Sequence, residues 1–321
     1  MISKLPFKIT ALVKTMAKTQ VSWRKQFFYQ NSEEDIKDFE TTDPINDKKH
    51  EVCEGLIHRY PDRVLVLVTK SCPVYCRFCF RKDVIENKSS YLTLENWAKI
   101  VSYLKDHPAI REIIFSGGDS FYVPAAILQE YFKDLISIKS IKIVRFHTRV
   151  LTLSPDILLQ KEHLYNALKN LSAFKAIYVL AHINHPDEFT EKSIMAIKRI
   201  QRLEIPILSQ SVLLKEINDS EEILLELCQK LTENKIIPAY LHQLDHAPGT
   251  FHFYVPISRG RELIKWLQGK IANYGIPKYI LELPEGLGKV PIHSSFIKEE
   301  YPDYYVCSNL DDREEIKIQK M

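Results

Sequence analysis

Six short runs of apolar residues recur along the middle of the chain, and a longer amphipathic segment separates each run from the next. The runs are VLVLVT (64–69), REIIFS (111–116), KIVRFH (142–147), AIYVLAH (176–182), ILSQSVLL (207–214) and IPAYLHQ (237–243). The first is continuously apolar, as expected for a strand that is buried on both faces of a parallel sheet. Strands that alternate with helices form right-handed βαβ units, so the pattern predicts an α/β fold with a parallel sheet, either a barrel or a doubly wound sheet.

The segments between these runs have the length and the apolar spacing of helices. They are LENWAKIVSYLKDH (94–107), PAAILQEYFKDLI (124–136), PDILLQKEHLYNALKNL (155–171), EKSIMAIKRIQRL (191–203) and EEILLELCQKL (221–231). After the sixth run, residues 258–275 predict a further helix and KYILEL (278–283) predicts a seventh strand. We therefore expect three parts: a helical and irregular N-terminal extension (1–57), a core of alternating strands and helices (58–255), and a C-terminal region (256–321).

The composition argues against several classes of protein. The 44 basic and 41 acidic side chains give a formal net charge of only +3, and no long run of one sign occurs. Nucleic-acid-binding proteins usually carry a clustered basic face, so we expect no nucleic-acid partner. No stretch of about 18 apolar residues is present to span a bilayer, and Lys8, Lys14 and Lys18 interrupt any signal-peptide core. We expect a cytoplasmic protein with no membrane association.

Three of the six cysteines form the pattern Cys72-x-x-x-Cys76-x-x-Cys79, directly after the first predicted strand. Six cysteines are too few for a disulfide scaffold in a chain this long, and such a cluster in a reducing compartment is typical of a metal or redox site. Thiolates are the ligands of iron–sulfur clusters, and three of them leave one iron of a 4Fe-4S cluster open to bind S-adenosylmethionine (SAM). A structural zinc site is the alternative. It needs four ligands, and Cys53 and Cys228, either of which would be the fourth, have no partner at ligand spacing.

Other polar residues also follow the predicted strands, where barrel enzymes place their chemistry. Ser116-Gly117-Gly118-Asp119 ends the second strand, His182 ends the fourth, and Asp245 lies just past the sixth. Two glycines let the backbone approach a ligand closely, and a carboxylate can accept hydrogen bonds from an ammonium group such as the methionyl amine of SAM. The same Gly-Gly-Asp sequence also makes ordinary turns, so its significance here comes from the neighbouring cysteines.

Five segments, in this order and at this spacing, resemble the lysine 2,3-aminomutase family of radical SAM enzymes. The segments are HRYPDRVLVLVTKSCPVYCRFCFRK (58–82), SGGD (116–119), AHINHPDEFT (181–190), QSVLLKEIND (210–219) and GLGKVPI (286–292). The resemblance implies a radical SAM partial (β/α)6 barrel, similar to a TIM barrel, with N- and C-terminal extensions. It also implies that Cys72, Cys76 and Cys79 bind the 4Fe-4S cluster.

The resemblance further assigns residues to SAM and to a second organic cofactor, pyridoxal 5′-phosphate (PLP). The residues implied for SAM are Ser116, Gly117, Gly118, Asp119, His182 and Gln210. As a lone histidine, His182 is equally well interpreted as a core residue whose polar atoms are satisfied. PLP would be held as a Schiff base by Lys289, with Arg59 and Arg63 near its phosphate, because the planar fork of an arginine binds phosphate oxygens in pairs. GLGK is not a P-loop, since Val290 stands where Ser or Thr is needed.

The substrate side of the resemblance rests on Arg81, Asp245 and Glu282. In lysine-specific members two acidic residues hold the ε-ammonium group and an arginine just past the third cysteine holds the carboxylate. Glu282 departs from the aspartate that is usual in free-lysine enzymes. Buried carboxylates are costly unless a cation pairs with them, so the acidic pair favours a basic substrate over glutamate. The implied reaction converts L-α-lysine to β-lysine through a 5′-deoxyadenosyl radical, with an electron from a donor such as flavodoxin or ferredoxin.

Two branches of the family use lysine. One makes free β-lysine for metabolism or osmolytes, and the other makes (R)-β-lysine that is attached to translation elongation factor P. Ser220 stands where free-lysine enzymes place a zinc-binding cysteine, and this residue, with Glu282 and His242, favours the elongation-factor branch. The segments HRYPDRV and HFYVPISRG instead resemble the free-lysine branch. Two other interpretations stay open: a radical SAM protein that acts without PLP, and a non-catalytic iron–sulfur or zinc-binding module.

Overall fold

The computed structural model describes residues 5–85, 90–293, 296–308 and 315–319. Within these residues, ten strands form one sheet that follows chain order from β1 to β10, and three more form a small antiparallel sheet. The strands are β1 Glu51–Cys53, β2 Leu56–Tyr60, β3 Arg63–Thr69, β4 Glu112–Gly117, β5 Ile143–Thr148, β6 Ala176–His182, β7 Ile207–Val212, β8 Ile236–His242, β9 Lys278–Leu283, β10 Gly288–Pro291, β11 Ile297–Glu300, β12 Tyr304–Ser308 and β13 Glu315–Gln319.

Helices connect the strands of the large sheet and also precede it. The α-helices are α1 Ala11–Met16, α2 Val21–Phe27, α3 Leu94–Asp106, α4 Ala125–Ser137, α5 Val150–Leu153, α6 Asp156–Gln160, α7 Glu162–Ser172, α8 Glu191–Gln201, α9 Glu221–Glu233 and α10 Ile257–Leu267. Short 3-10 helices cover Asn31–Glu34, Lys48–His50, Ser120–Tyr122, Pro186–Glu188, Phe251–Phe253, Asn273–Gly275 and Pro284–Gly286. In the part of the chain described here, no helix combines the length and the apolar character needed to cross a membrane.

The seven strands β3 to β9 are parallel, and each pairs with the next along the chain. They correspond to the seven predicted runs, and a helical connection lies between each pair of neighbours. The predicted α/β fold is therefore confirmed. At the two sides of this parallel set, β2 pairs antiparallel with β3, and β10 pairs antiparallel with β9.

The main hydrophobic core lies between the sheet and its covering helices, because alternate residues of each strand point to opposite faces. Val64, Val66 and Val68 of β3 point to this core and are buried. Trp97 of α3 is buried on the same side, and its indole Nε1 donates to Asp134 of α4 at 2.8 Å. The opposite face of the strands carries polar residues among apolar ones such as Leu65, Ile114 and Ile280, and the candidate site forms there.

Several elements differ from the sequence prediction. The predicted helix 155–171 is two helices, α6 and α7, because Lys161 takes an extended backbone conformation between them. The predicted helix 258–275 ends at Leu267, and Gly269 follows with a positive φ of 78°. The hairpin β1–β2 begins in a region that was expected to be helical or irregular, and the large sheet runs from Glu51 to Pro291. The division into three parts stays a prediction.

The N-terminal extension packs against the loop after β3 that carries Cys72, Cys76 and Cys79, which is called the cysteine loop below. Trp23 and Phe27 of α2 are fully buried in one apolar cluster with Val74 of that loop. Two backbone bonds join the segments, from the Tyr75 amide to the carbonyl of Lys8 and from the Arg77 amide to the carbonyl of Gln26, both at 2.9 Å. The extension therefore covers one side of the loop.

Candidate active site

A cavity of about 540 Å³ lies along the face of the parallel strands that points away from the main core. Every site residue that was predicted from the sequence lines this cavity. These residues extend from the cysteine loop after β3 and the Gly-Gly turn after β4 to Lys289 on β10. Parallel strands bring their carboxyl ends to one edge of a sheet, which explains how residues so far apart in sequence converge. Cys53 and Cys228 do not line this cavity, and Cys228 is buried in the main core.

The three cysteines of the loop present partly buried thiols to the cavity. Burial raises the pKa of Cys72, of Cys76 and of Cys79, the last to about 11. At Cys76 the Arg149 guanidinium opposes this shift, since its Nη1 donates to the sulfur at 2.9 Å. Within the described residues, no three His, Cys, Asp or Glu side chains converge closely enough to hold a single metal ion. Three thiolates in one loop would fit a 4Fe-4S cluster, since a cubane takes one thiolate for each iron that the protein holds.

A buried ion pair fixes the cysteine loop. Arg77 stands between Cys76 and Phe78 and is fully buried, and it donates from Nε and Nη2 to the two carboxylate oxygens of Glu33. The Nε bond measures 2.8 Å. A bidentate pair of this kind holds both partners in one orientation. The sequence did not reveal Glu33, which lies in the N-terminal extension far from the motif.

The Gly-Gly turn after β4 packs directly on the backbone of the cysteine loop. The Gly118 amide donates to the carbonyl of Thr69 at 2.6 Å, and a Cβ at Gly118 would lie 2.2 Å from the Ser71 carbonyl oxygen. Gly117 has a φ of 103°, which residues with a side chain rarely adopt. The two glycines are thus required for the close approach of the two loops.

The Asp119 carboxylate is buried and already accepts three hydrogen bonds. These come from the Thr148 hydroxyl at 2.6 Å, from the Arg149 amide at 2.7 Å and from the Phe121 amide at 3.0 Å. Asp119 therefore ties the Gly-Gly turn to the end of β5, which sequence reasoning did not foresee. Its contact with the methionyl amine of SAM stays a prediction.

Three histidines line the cavity at the ends of β5, β6 and β8. His182 lies opposite Gln210 in the register of β6 and β7, and its Nε2 is 3.0 Å from Asn184 Oδ1. His147 and His242 each have a buried Nε2 with no hydrogen-bond partner in the described structure. Burial lowers the pKa of all three well below its usual value, so the imidazoles are neutral near pH 7. Sequence reasoning missed His147, although its position at a strand end was a signal.

Lys289 and Glu282 face each other across the hairpin β9–β10. They are directly paired in its register, and Lys289 Nζ lies 3.6 Å from Glu282 Oε2. The Lys289 side chain is 41% exposed because it extends into the open cavity. Dense protein surrounds that cavity, and the resulting desolvation lowers the pKa of the amine, although Glu282 and Asp245 partly oppose the shift. A lowered pKa increases the fraction of neutral, nucleophilic amine.

Arginines and carboxylates form a network around this lysine. Arg59 donates from Nη1 to Glu282 Oε1, and from Nη2 to Asp47 Oδ1 at 3.3 Å and to the carbonyl of Ile45 at 2.7 Å. Arg81 binds Asp47 as well, from Nε and Nη2. Arg59, predicted to bind phosphate, thus already neutralises one of the two acidic residues predicted to bind the substrate.

Further cations line the cavity near β3, β5 and β9. Arg63 pairs with the neighbouring Asp62 at 2.7 Å, and Arg145 donates from Nε to Glu112 at 2.7 Å. Lys278 also lines this part of the cavity, and the buried Nε of Arg59 has no hydrogen-bond partner in the described residues. This surplus of donors fits an anionic group such as the phosphate of PLP. Arg145 was missed because it lies inside a strand whose sequence is otherwise apolar.

Asp245 completes the acidic part of the cavity. Burial and the nearby Glu282 carboxylate raise its pKa to about 7, while Lys289 and Arg81 oppose the shift. An approaching cation lowers the pKa of such a carboxyl group, so the group loses its proton and becomes negatively charged. Asp245 and Glu282 are thus suited to bind an ammonium group.

Comparisons with known proteins agree with this geometry. The family model of the radical SAM superfamily matches residues 66–228, which implies a 4Fe-4S cluster and SAM. A crystal structure of Streptococcus suis SuiB bound to S-adenosylmethionine has the same fold, with a TM-score of 0.51 and 17% identity over 73% of this chain and 52% of that one.

Similar curated proteins place the chain in one family within this superfamily. A putative L-lysine 2,3-aminomutase of Aquifex aeolicus is 38% identical over 76% of this chain, and the match spans 65% of that relative's length. A putative L-lysine 2,3-aminomutase of Treponema pallidum is 32% identical over 86% of this chain and 77% of its own length. From the cysteine loop, the fold and these relatives together, the chain belongs to the radical SAM superfamily and, within it, to the lysine 2,3-aminomutase family.

Proposed function

We propose that the protein is a PLP-dependent lysine 2,3-aminomutase that converts L-α-lysine to β-lysine. One observation carries this proposal: a single cavity is lined both by the cysteine loop and by Lys289 with Glu282 and Asp245. Radical generation and amino-acid binding would therefore occur in one cavity. A site for cluster and SAM alone would not need a desolvated lysine beside two carboxylates.

When bound, the cluster and SAM supply a carbon-centred radical, and PLP supplies the π system over which an amino nitrogen migrates. The protein's own residues bind and orient the reactants. Lys289 would anchor PLP through an amine whose lowered pKa favours its neutral form, and the basic side chains of Arg63 and Arg145, which line the same cavity, would neutralise the phosphate. Once the Lys289 amine is neutral, Glu282 keeps one cationic partner, Arg59, and the charged form of Asp245 is left to receive the ε-ammonium group.

The affinity for lysine is expected to rise about tenfold between pH 6 and pH 8, because the pKa of Asp245 is about 7 in the substrate-free protein. Below that pH the carboxyl group is neutral and must lose a proton before it can hold an ammonium group; above it the charge is already present. Calorimetric titration with L-lysine over this pH range measures the effect. Asp245→Asn should bind more weakly and lose the pH dependence, and an unchanged pH dependence in that variant would rule out Asp245 as its source.

The activity is tested by an anaerobic assay with L-lysine, SAM, PLP and dithionite, followed by chiral chromatography of the amino acids. We expect β-lysine as the product and no β-glutamate from L-glutamate in a parallel reaction. Absence of β-lysine from protein that carries both its cluster and PLP would overturn the proposed activity. In the cell, a one-electron donor such as flavodoxin or ferredoxin would replace dithionite.

We further propose that the product is (R)-β-lysine destined for elongation factor P. Ser220 supports this assignment, because its hydroxyl caps helix α9 by accepting from the Ile223 amide at 3.3 Å. The position is thus used for helix capping, and a hydroxyl is a poor substitute for a zinc-binding thiolate. The same chromatogram decides the point, since the (S) enantiomer would favour the free-lysine branch.

A further inference from the structure

Asp47 was not among the predicted site residues, yet its carboxylate lies at the cavity between two arginines. Arg81 donates to Asp47 Oδ2 from Nε at 2.9 Å and from Nη2 at 2.8 Å, and Arg59 donates to Oδ1 at 3.3 Å. The side chains of the three residues are only 10 to 15% exposed. Asp47 thus links Arg81, which we propose binds the substrate carboxylate, with Arg59, which also holds Glu282.

The backbone around Asp47 is itself fixed. The carboxylate of Asp43 accepts from the amide of Asp47 at 2.8 Å and from the amide of Lys48 at 3.0 Å. The intervening Ile45 carbonyl accepts from Arg59. These bonds form a compact turn, so the Asp47 carboxylate is presented to the arginines from a defined position.

The contact with Asp47 uses only one edge of the Arg81 guanidinium. A guanidinium has five N–H groups in one plane, and Asp47 occupies Nε and one hydrogen of Nη2. Asp47 does not use the edge between Nη1 and Nη2, whose Nη1 donates to the hydroxyl of Ser116 at 3.4 Å. A second carboxylate that replaces the Ser116 hydroxyl on Nη1 can therefore bind this edge in a bidentate manner without displacing Asp47.

We propose that Asp47 is a positioning residue that orients Arg81 so that the edge between Nη1 and Nη2 receives the carboxylate of the amino-acid substrate. The inference rests on the proposed function. It makes the segment before β1 responsible for the preference of the site for an amino acid over a simple amine or amide. If Asp47 instead occupies the substrate's place on Arg81, removal of its charge would raise the affinity for L-lysine.

The test compares the binding of L-lysine and of L-lysinamide, which lacks the carboxylate, to the protein loaded with its cofactors, anaerobically and without reductant. In Asp47→Asn the affinity for L-lysine should fall on the order of 10- to 100-fold, the range of a lost charge-assisted contact, while lysinamide binding changes little. Asp35→Asn is the matched control, because Asp35 lies in the same extension in an exposed pair with Lys37. Asp47→Glu retains the charge and should recover part of the preference for L-lysine.

Each other outcome overturns the inference in a recognisable way. Tighter binding of L-lysine by Asp47→Asn would show that Asp47 competes with the substrate. An equal loss for both ligands, at unchanged iron and PLP content, would show a general structural role. Should Asp47→Asn lose its cofactors, the same comparison is made with Asp47→Glu, where a preference for L-lysine that is reduced relative to wild type at unchanged iron content supports the inference, and an unchanged preference contradicts it. Wild-type protein that binds neither ligand would overturn the proposed function itself.

Discussion

Replacement of Lys289 by alanine is expected to abolish aminomutase activity and the visible absorbance of bound PLP while leaving the iron content unchanged. The amine of Lys289 extends into the cavity and is the only lysine amine that faces Glu282 across the β9–β10 hairpin of the described structure. Without it, PLP has no covalent anchor on this hairpin. Absorbance spectra, iron analysis and product chromatography of the anaerobically purified variant measure the three quantities separately.

Two companion variants make this result specific. Lys289→Arg keeps a cation beside Glu282 but cannot link covalently to PLP, so it should be as inactive as the alanine variant. Lys99→Ala removes an exposed lysine that pairs with Glu95 on the outside of α3, and it should behave as wild type. A Lys289→Ala protein with an unchanged spectrum and activity would end the aminomutase proposal and leave a radical SAM protein that acts without PLP.

Substitution of Cys79 by serine is expected to remove most of the iron and all SAM cleavage. Its thiol lines the cavity with those of Cys72 and Cys76, and each thiolate would hold a separate iron. The serine hydroxyl has nearly the same shape but remains protonated at neutral pH, so it is a much weaker iron ligand. Iron and sulfide analysis and the formation of 5′-deoxyadenosine in the presence of dithionite measure the loss.

Cys53→Ser and Cys307→Ser control for the number of thiols, since neither residue lines the cavity. Both variants should keep full iron content and SAM cleavage. Full iron content in Cys79→Ser would contradict the assignment of this residue as a ligand. Wild-type protein that takes up zinc and no iron on anaerobic reconstitution would favour the structural zinc module.

The strands of the parallel sheet were predictable because their sequences are short, mostly apolar runs. AIYVLAH and KYILEL have the same bounds as β6 and β9, and the other runs differ from their strands by one or two residues at an end. Such runs can be recognised as strands without knowing which strands they pair with, because an apolar run is buried beside any neighbour in the sheet. The α/β class followed from their alternation with helices.

The elements that were missed depend on contacts that sequence periodicity does not report. Strands β1 and β2 are short and turn at Gly55, whose φ is 82°. The break between α6 and α7 occurs at Lys161, where neither Gly nor Pro marks an end. Both features are set by local backbone geometry and by packing against the rest of the molecule. The spacing of apolar residues does not report either of these.

The sequence likewise revealed some residues of the candidate site and missed others. Residues at strand ends, such as Cys72 and Asp245, were found because motif and position coincide. The partners of those residues were not, because ion pairs such as Arg77 with Glu33 and Arg81 with Asp47 join segments more than 30 positions apart. One expectation changed as a result: the Glu282 carboxylate is shared with Arg59 before any substrate is bound.

The hairpin that carries Lys289 adds a constraint on length. Pro284 to Leu287 connect Leu283 to Gly288, and this turn makes Lys289 the partner of Glu282. Because successive side chains of a strand point to opposite faces, a slip of one residue between β10 and β9 would direct the lysine away from the cavity. A slip of two residues would preserve its side of the strand. The pairing register that this turn sets therefore determines whether the reactive amine and the cysteine loop share one chamber.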